Sequence, residues 1–299
     1  MITVFGSINM DLIATTTRLP APGETVAGTG FSTAAGGKGA NQALAARRAG
    51  ASVRMAGAVG NDSFAEPALA LLAAAGTDLS GTAHVPGPTG TALILVGGDG
   101  ENMIAVVPGA NGTIDASQAT ATVEAMQQSD ILMLQLEIPA GAIDAALATA
   151  RRRGVTTILN TAPLTADASR LSTLCDIVIA NETEFELLVG RQNLNASERE
   201  QAVLARHNDT GQTVIVTLGG DGVIAAHAGR IVRAKGLVIE PVDTVGAGDT
   251  FCGYLAAGMD AGLDFEAALA RAAIAGSLTC LKPGAQPAIP TAGDVDAHV

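Results

Sequence analysis

The stretch "DILMLQLEIPAGAIDAALATARRRGVTTILN", residues 130–160, decides the fold. Its apolar start predicts a buried strand over 130–137, and the alanine-rich segment 141–153 predicts an amphipathic helix. A second apolar run, 155–160, predicts another strand. Strand, helix and strand at this spacing form a βαβ unit, in which both strands lie parallel in one sheet.

The same alternation extends over most of the chain. Further strands are predicted at 1–8, 53–60, 175–181 and 213–217, and further helices at 39–49, 63–75, 247–261 and 265–281. The pattern predicts an α/β fold with a mostly parallel sheet between helical layers.

Two segments, 11–35 and 89–109, interrupt this pattern. They contain two short runs, 11–19 and 24–32, in which apolar and polar residues alternate. They also contain a predicted hairpin over 91–107 that turns at 97–101, and no helix is predicted between these strands. They predict a small antiparallel sheet that projects from a main domain made of residues 1–10, 36–88 and 110–299. One apolar face of such a sheet must be covered by substrate or by a second copy.

Composition excludes several classes of function. The 299 residues carry a net charge of −12 and only 2% aromatic side chains, which argues against nucleic-acid partners. The three cysteines and four histidines form no metal-binding pattern. The start of the chain has no signal-peptide pattern, and no apolar run is long enough for a membrane span, so we expect a cytoplasmic protein.

Residues 243–251, "DTVGAGDTF", predict a glycine turn that leads directly into a helix. The backbone amides of Gly246, Ala247 and Gly248 would then lie at a helix N-terminus, which binds anions well. The turn has no lysine, and the segment 32–40, "STAAGGKGA", departs from the Walker A pattern at two positions. The sequence therefore predicts a phosphate site that is not a P-loop.

Asp249 follows these amides in the first helical turn and allows two interpretations. It could be a helix-start carboxylate with a purely structural role. It could also be a general base that accepts a proton from a hydroxyl while the amides hold the phosphoryl group.

Polar residues near other strand ends suggest a sugar site. Asn9 and Asp11 are predicted at the end of the first strand, Lys38 and Asn41 follow adjacent glycines at a helix start, and Glu137 ends a buried strand. Side chains of these types recognise sugar hydroxyls. The alternative is that they are turn and capping residues.

Asn181 and Glu184, three positions apart at a helix start, also have two interpretations. They match a capping box. They could equally serve a Mg²⁺ ion shared with phosphates, since such an ion prefers oxygen ligands.

The chain resembles the PfkB family of carbohydrate kinases from Ile2 to Pro290. The specific motifs are "GGKGANQALAARRAG" and "DTVGAGDTFCG", and "GSINMD", "PGETV", "QLE", "NETE", "TLGGDG" and "KPGAQP" occur in the family's order. The resemblance implies a three-layer αβα fold with a β-sheet lid over the sugar that is often shared between two subunits. It implies transfer of phosphate from ATP to a sugar, with D-ribose favoured.

The resemblance also implies roles for single residues. Asp249 matches the catalytic base, and Gly246, Ala247 and Gly248 match the anion hole. The sugar-binding positions correspond to Asn9, Asp11, Gly37, Lys38, Asn41, Glu137 and Asp249. The ATP-binding positions correspond to Asn181, Thr217, Leu218, Gly219, Gly220, Asp221, Gly222 and Gly248. Asn181 and Glu184 match the motif linked to Mg²⁺.

A K⁺ site is implied as well. Its members correspond to the Asp243 carboxylate and the main-chain carbonyls of Val245, Thr279, Lys282 and Gly284. Ala288 stands where the family often has a hydroxyl residue, and a methyl group cannot coordinate K⁺, which puts the K⁺ dependence in question.

Three alternatives remain. The substrate could be 2-deoxyribose, a ketose such as fructose, a keto-deoxy acid or a nucleoside. The protein could be a non-catalytic sensor of sugar and nucleotide, although Asp249 is present. A dinucleotide oxidoreductase is disfavoured because no GxGxxG follows the first strand.

Overall fold

Two β-sheets of unequal size organise the chain, and the computed structural model describes all 299 residues. The strands are β1 (Ile2–Phe5), β2 (Asn9–Thr16), β3 (Gly28–Gly36), β4 (Val53–Gly60), β5 (Asp78–Val85), β6 (Gly90–Val96), β7 (Asn102–Val107), β8 (Ile131–Leu134), β9 (Thr156–Asn160), β10 (Ile177–Asn181), β11 (Thr213–Thr217), β12 (Val223–His227) and β13 (Arg230–Ala234). The helices are α1 (Lys38–Arg48), α2 (Ala65–Ala74), α3 (Ala116–Glu124), α4 (Ala140–Arg153), α5 (Ala168–Leu171), α6 (Glu182–Leu188), α7 (Ala196–Thr210), α8 (Ala247–Asp260), α9 (Phe265–Thr279) and α10 (Ala292–Asp296).

The larger sheet has nine strands in the order β13-β12-β11-β10-β9-β8-β1-β4-β5. The strands from β11 to β5 are parallel, and the β12–β13 hairpin extends the sheet in antiparallel fashion at one edge. The βαβ unit predicted over 130–160 is β8, α4 and β9, with Ile131 paired to Thr156. The mostly parallel sheet is therefore confirmed.

Helices cover both faces of this sheet. One buried apolar cluster joins the sheet to α1, α2, α8 and α9, and the other joins it to α3, α4 and α7. Side chains of β1 alternate between the two clusters, with Ile2 and Val4 in the first and Phe5 in the second. This arrangement is the three-layer αβα fold.

The smaller sheet has four strands in the order β3-β2-β6-β7. Its outer pairs, β2–β3 and β6–β7, are antiparallel, and the predicted hairpin over 91–107 is the second of them. The central pair β2–β6 is parallel, so the prediction of a fully antiparallel sheet is wrong for that pair. The reason is that β2 and β6 follow β1 and β5 after short turns. Since β1 and β5 are parallel, both segments enter the small sheet in the same direction.

Two predicted positions shift by a few residues. The run at 24–32 forms a strand only from Gly28 onward. Asn9 and Asp11 do not end the first strand, because β1 ends at Phe5 and both residues belong to β2. The chain leaves the main sheet at Gly6, where a Cβ would lie 3.1 Å from the Cα of Gly39 at the start of α1. None of the helices combines the length and apolarity needed to cross a membrane.

Candidate active site

The carboxyl ends of the parallel strands meet along one edge of the main sheet. The turns after β1, β8, β9, β10 and β11 lie there, and this edge is where sheets of this type bind ligands. The small sheet begins at the same edge, because only the three residues 6–8 separate β1 from β2.

The glycine turn before α8 is built as predicted. Gly246 is the N-cap of α8 with φ of 78°, a conformation that favours glycine, and a Cβ there would lie 2.9 Å from the Cα of Ala285. The amides of Gly246 and Gly248 donate to no protein acceptor, whereas that of Ala247 contacts the Thr244 carbonyl at 3.3 Å. A Cβ on Gly248 would meet nothing within 4 Å. Free amides at a helix start beside open space can hold an anion.

Asp249 lies in the first turn of α8 and is only 7% exposed. Its Oδ2 accepts a hydrogen bond from Asn41 Nδ2 at 2.9 Å, and its Oδ1 accepts one from Gln42 Nε2 at 3.0 Å. Both donors belong to α1. The carboxylate is thus held on both oxygens by a helix from the first third of the chain.

A buried polar network stands behind this carboxylate. Gln42 Nε2 also lies 3.2 Å from Asn160 Oδ1, and Gln42 Oε1 accepts a hydrogen bond from Gln135 Nε2 at 2.7 Å. Sequence reasoning missed Gln42, Gln135 and Asn160. A signal was present, since Gln42 interrupts the apolar run of α1 and Gln135 directly follows the apolar run of β8.

Lys38 is half-buried at the start of α1 among carboxylates. The Asp249 carboxylate raises the pKa of the Lys38 ammonium, burial opposes this rise, and Glu137 and Glu184 reinforce it. The structure thus gathers Lys38, Asp249 and Glu137 around one charged site.

Glu137 follows β8 and is bound to the start of α1. Its Oε2 accepts hydrogen bonds from Ser7 Oγ at 2.5 Å and from the Lys38 amide at 3.0 Å. Gly37, which precedes α1, has φ of 87°, and a Cβ there would lie 2.8 Å from the Asn9 amide nitrogen. Glycine at 37 therefore allows α1 to begin directly against the turn after β1.

Asp11 and Asn9 lie on β2 beside this group. Burial, followed by the charge of Glu137, raises the pKa of the Asp11 carboxyl to about 6. Asn9 Oδ1 accepts a hydrogen bond from Asn111 Nδ2 at 2.7 Å. Asn111 also bonds both backbone groups of Ile8, and sequence reasoning missed it.

A cavity of about 620 Å³ adjoins the α8 turn and is lined there by Thr244, Ala247 and Gly248. Among the predicted ATP-binding residues, those that line it are Asn181, Thr217, Gly219, Gly220, Gly222 and Gly248. Leu218 and Asp221 do not line it, although they belong to the same turn. Sequence reasoning missed the segment 236–241, which lines the cavity except at position 240. That segment has no regular secondary structure and carries no motif.

Asn181 and Glu184 form a capping box at the start of α6. Asn181 Oδ1 accepts a hydrogen bond from the Glu184 amide at 2.8 Å, and Glu184 Oε2 accepts one from the Asn181 amide at 3.0 Å. Thr161 Oγ1 donates to the same Oε2 at 3.2 Å. Glu184 Oε1 makes no hydrogen bond within the protein, so the capping geometry leaves one carboxylate oxygen available.

Two members of the predicted K⁺ site, Asp243 and Val245, belong to the turn before α8, and Gly284 is hydrogen-bonded to that turn. Asp243 Oδ1 accepts a hydrogen bond from the Val245 amide at 3.0 Å, and Oδ2 accepts one from the Gly284 amide at 2.8 Å. The carbonyls of Val245 and Gly284 accept no hydrogen bond. The Thr279 carbonyl has only a long 3.4 Å contact with the Lys282 amide. A carboxylate beside free main-chain carbonyls suits a monovalent cation, but the buried Ala288 adds no oxygen from its side chain.

Comparison with known proteins identifies relatives over the full length. The model of the pfkB family carbohydrate kinases matches residues 1–292. The chain is 37% identical to the ribokinase of Bacillus subtilis, covering 99% of this chain and 98% of that protein. It is 35% identical to the ribokinase of Haemophilus influenzae, covering 97% and 95%. A solved structure of Arabidopsis thaliana ribokinase complexed with ribose and ATP superposes with a TM-score of 0.88 at 30% identity, covering 99% of this chain and 97% of that one.

Fold and relatives together define the chain as an ATP-dependent phosphotransferase that acts on a sugar. Enzymes of this class use ATP together with Mg²⁺. The chain belongs to the pfkB family of carbohydrate kinases.

Proposed function

We propose that this kinase transfers the γ-phosphate of ATP to O5 of D-ribose and releases D-ribose 5-phosphate and ADP. The observation that carries the proposal is the position of Asp249. Its buried carboxylate lies between the free amides at the start of α8 and the polar side chains at the start of α1. The similarity to ribokinases supports ribose as the sugar.

In this proposal Asp249 is the general base. A carboxylate held on both oxygens by amide donors has a fixed orientation, and its remaining lone pairs can accept the proton of the attacking hydroxyl. As O5 attacks the γ-phosphorus, its bond to phosphorus forms and the bond to the β-γ bridging oxygen of ATP breaks. The amides of Gly246, Ala247 and Gly248 stabilise the charge on the transferred group.

Ribose is held by Asn9, Asp11, Gly37, Lys38, Asn41 and Glu137. Asn41 supports this assignment, because its side chain is held directly beside the base, with Nδ2 donating to Asp249 Oδ2 at 2.9 Å. The Asp11 carboxylate, which accepts no hydrogen bond within the protein, could accept one from a sugar hydroxyl. Each such contact is worth about 1 kcal/mol, so a sugar that lacks one hydroxyl should react roughly fivefold less efficiently.

ATP occupies the 620 Å³ cavity in this proposal, with its γ-phosphate toward Gly248. No cluster of three or more His, Cys, Asp or Glu residues is present that could hold a metal by itself. A Mg²⁺ ion that is bound to the ATP phosphates needs no such cluster, because it keeps several waters and takes few protein ligands. Asn181 and Glu184 would hold those waters, and the ion would neutralise phosphate charge.

K⁺ would lie between the turn 243–246 and the loop that contains Gly284. The free carbonyls of Val245 and Gly284 support this site, together with the Asp243 carboxylate and the carbonyls of Thr279 and Lys282. A cation there would fix the turn that supplies the anion hole. Ala288 leaves the site one oxygen short or dependent on water.

The small sheet, residues 11–35 and 89–109, acts as a lid in this proposal, and residues 1–10, 36–88 and 110–299 form the main domain. Both faces of the sheet carry exposed apolar side chains, Phe31 and Met103 on one and Ile104 and Val106 on the other. One pentose cannot cover both faces. We therefore infer a homodimer through the lid, and we place the enzyme in the cytoplasm, where ATP is available.

A coupled assay of ADP release with ribose, 2-deoxyribose, fructose and adenosine tests the proposal, with NMR to locate the phosphate on the product. We expect the highest kcat/KM with ribose and a product phosphorylated at O5. A higher kcat/KM with another acceptor would reject ribose but keep the kinase. Binding of ribose and ATP without ADP release would instead indicate a sensor.

A further inference from the structure

The buried side-chain amide of Gln42 is hydrogen-bonded to the proposed base, Asp249. Its side chain is 0% exposed, so it cannot touch a substrate. Nevertheless it donates to Asp249 Oδ1 at 3.0 Å and to Asn160 Oδ1 at 3.2 Å. A fully buried glutamine that donates to the base can influence the reaction by orienting that carboxylate.

The orientation of this amide is fixed by chemistry. A carboxylate only accepts hydrogen bonds, so the NH₂ group of Gln42 must face Asp249. Its oxygen then faces Gln135, whose Nε2 donates to it at 2.7 Å. A rotation of Gln42 by 180° would turn its oxygen toward the carboxylate and its NH₂ group toward the Gln135 NH₂ group, and all three hydrogen bonds would be lost.

Gln135 is in turn confined by its surroundings. It is 0% exposed and lies against Gly6, where a Cβ would be only 2.0 Å from Gln135 Oε1. That Oε1 has no hydrogen-bond partner. An unpaired buried acceptor lowers the free energy of unfolding. The same orientation of Gln135 keeps its NH₂ group directed toward Gln42.

We propose that Gln42, held by Gln135, is a positioning residue for catalysis: it fixes the Asp249 carboxylate so that the oxygen beside Asn41 faces the sugar hydroxyl. The proposal rests on the proposed role of Asp249 as base. It predicts that loss of the Gln42 donor lowers kcat and leaves sugar binding nearly unchanged, because a misplaced base does not alter the contacts that hold the sugar.

The test compares Gln42→Met with a matched buried glutamine. Gln212 is also buried and donates two hydrogen bonds, to the carbonyls of Ser172 and Cys175 at 2.7 and 2.6 Å, but it lies at the opposite edge of the sheet. We expect Gln42→Met to lower kcat about 10- to 100-fold, the usual effect of a reacting group misplaced by about 1 Å. Gln212→Met should lower thermal stability with kcat unchanged. Equal kcat values in the two variants would overturn the proposal.

A double-mutant cycle separates this proposal from the role of Asp249. If Gln42 acts through the base, Gln42→Met has no further effect on kcat in an Asp249→Ala background. Additive effects would refute the positioning role. If Asp249→Ala alone keeps normal kcat, the proposed function fails instead. Should Gln42→Met not fold, Gln135→Met tests the same link, with a fall in kcat expected and an unchanged kcat contradicting it.

Discussion

Asn41 Nδ2 lies 2.9 Å from Asp249 Oδ2, although the two residues are 208 positions apart. The contact exists because α1 and α8 pack unusually closely. Gly253 on α8 makes this possible, since a Cβ there would lie 2.5 Å from the Ala45 Cβ and 2.6 Å from the Gln42 carbonyl oxygen. The packing of these two helices therefore joins the proposed sugar site to the proposed phosphate site.

The first prediction concerns Asp11 and stability. Burial and Glu137 raise its pKa from 3.8 to about 6, so the native state binds the proton more tightly than the unfolded state does. Stability from this group is thus present below pH 4 and is lost as the pH rises to about 6, by up to about 3 kcal/mol. We expect Asp11→Asn to raise the free energy of unfolding at pH 8 and to weaken ribose binding.

Urea unfolding from pH 4 to 8 measures this effect. The stability difference between Asp11→Asn and the wild type should shrink toward zero near pH 4, and a difference independent of pH would contradict the prediction. Asp78→Asn is a control of opposite sign. Hydrogen bonds from Ser80 and Arg54 lower the pKa of Asp78 to about 2, so its loss should destabilise the protein above pH 4.

The second prediction concerns the monovalent cation. If K⁺ binds beside Asp243, turnover should be faster in KCl than in NaCl at matched ionic strength. Ala288→Ser supplies the missing hydroxyl and should increase the ratio of the two rates. Equal rates for the wild type would indicate that the methyl group at 288 has disabled the site.

The third prediction concerns the lid. Phe31, which is 71% exposed on β3, should be covered by a second copy, so Phe31→Asp should shift the protein from dimer to monomer in sedimentation velocity. Leu263→Asp changes a side chain that is 42% exposed between α8 and α9, and it should leave the dimer intact. A monomeric wild type would refute the shared lid.

Local patterns were sufficient for much of the fold. The strand and helix over 130–153 and the glycine turn before α8 depend on periodicity and on residues adjacent in sequence, and both were predicted within a few positions. The β12–β13 hairpin was missed because its turn places Ala228 at φ of 49°, where the usual hairpin signal is Asn or Gly. The edge strand β5 was missed because only its pairing with β4 defines it.

The pairing of residues in the polar network could not be predicted, for a related reason. Gln42 and Gln135 are 93 positions apart, and Asn111 reaches Asn9 across 102. Such contacts depend on how the sheet orders its strands. Gln42 stands within a recognised motif and interrupts an apolar run, but its partners Asp249, Gln135 and Asn160 could not be read from the sequence.

The most direct test of the account is the kcat of Asp249→Ala together with ribose binding by calorimetry. We predict that kcat falls by on the order of 10²–10⁴, as expected for loss of a general base, while ribose still binds with nearly the wild-type affinity. A variant that folds, binds ribose and ATP, and turns over at nearly the wild-type rate would contradict the account.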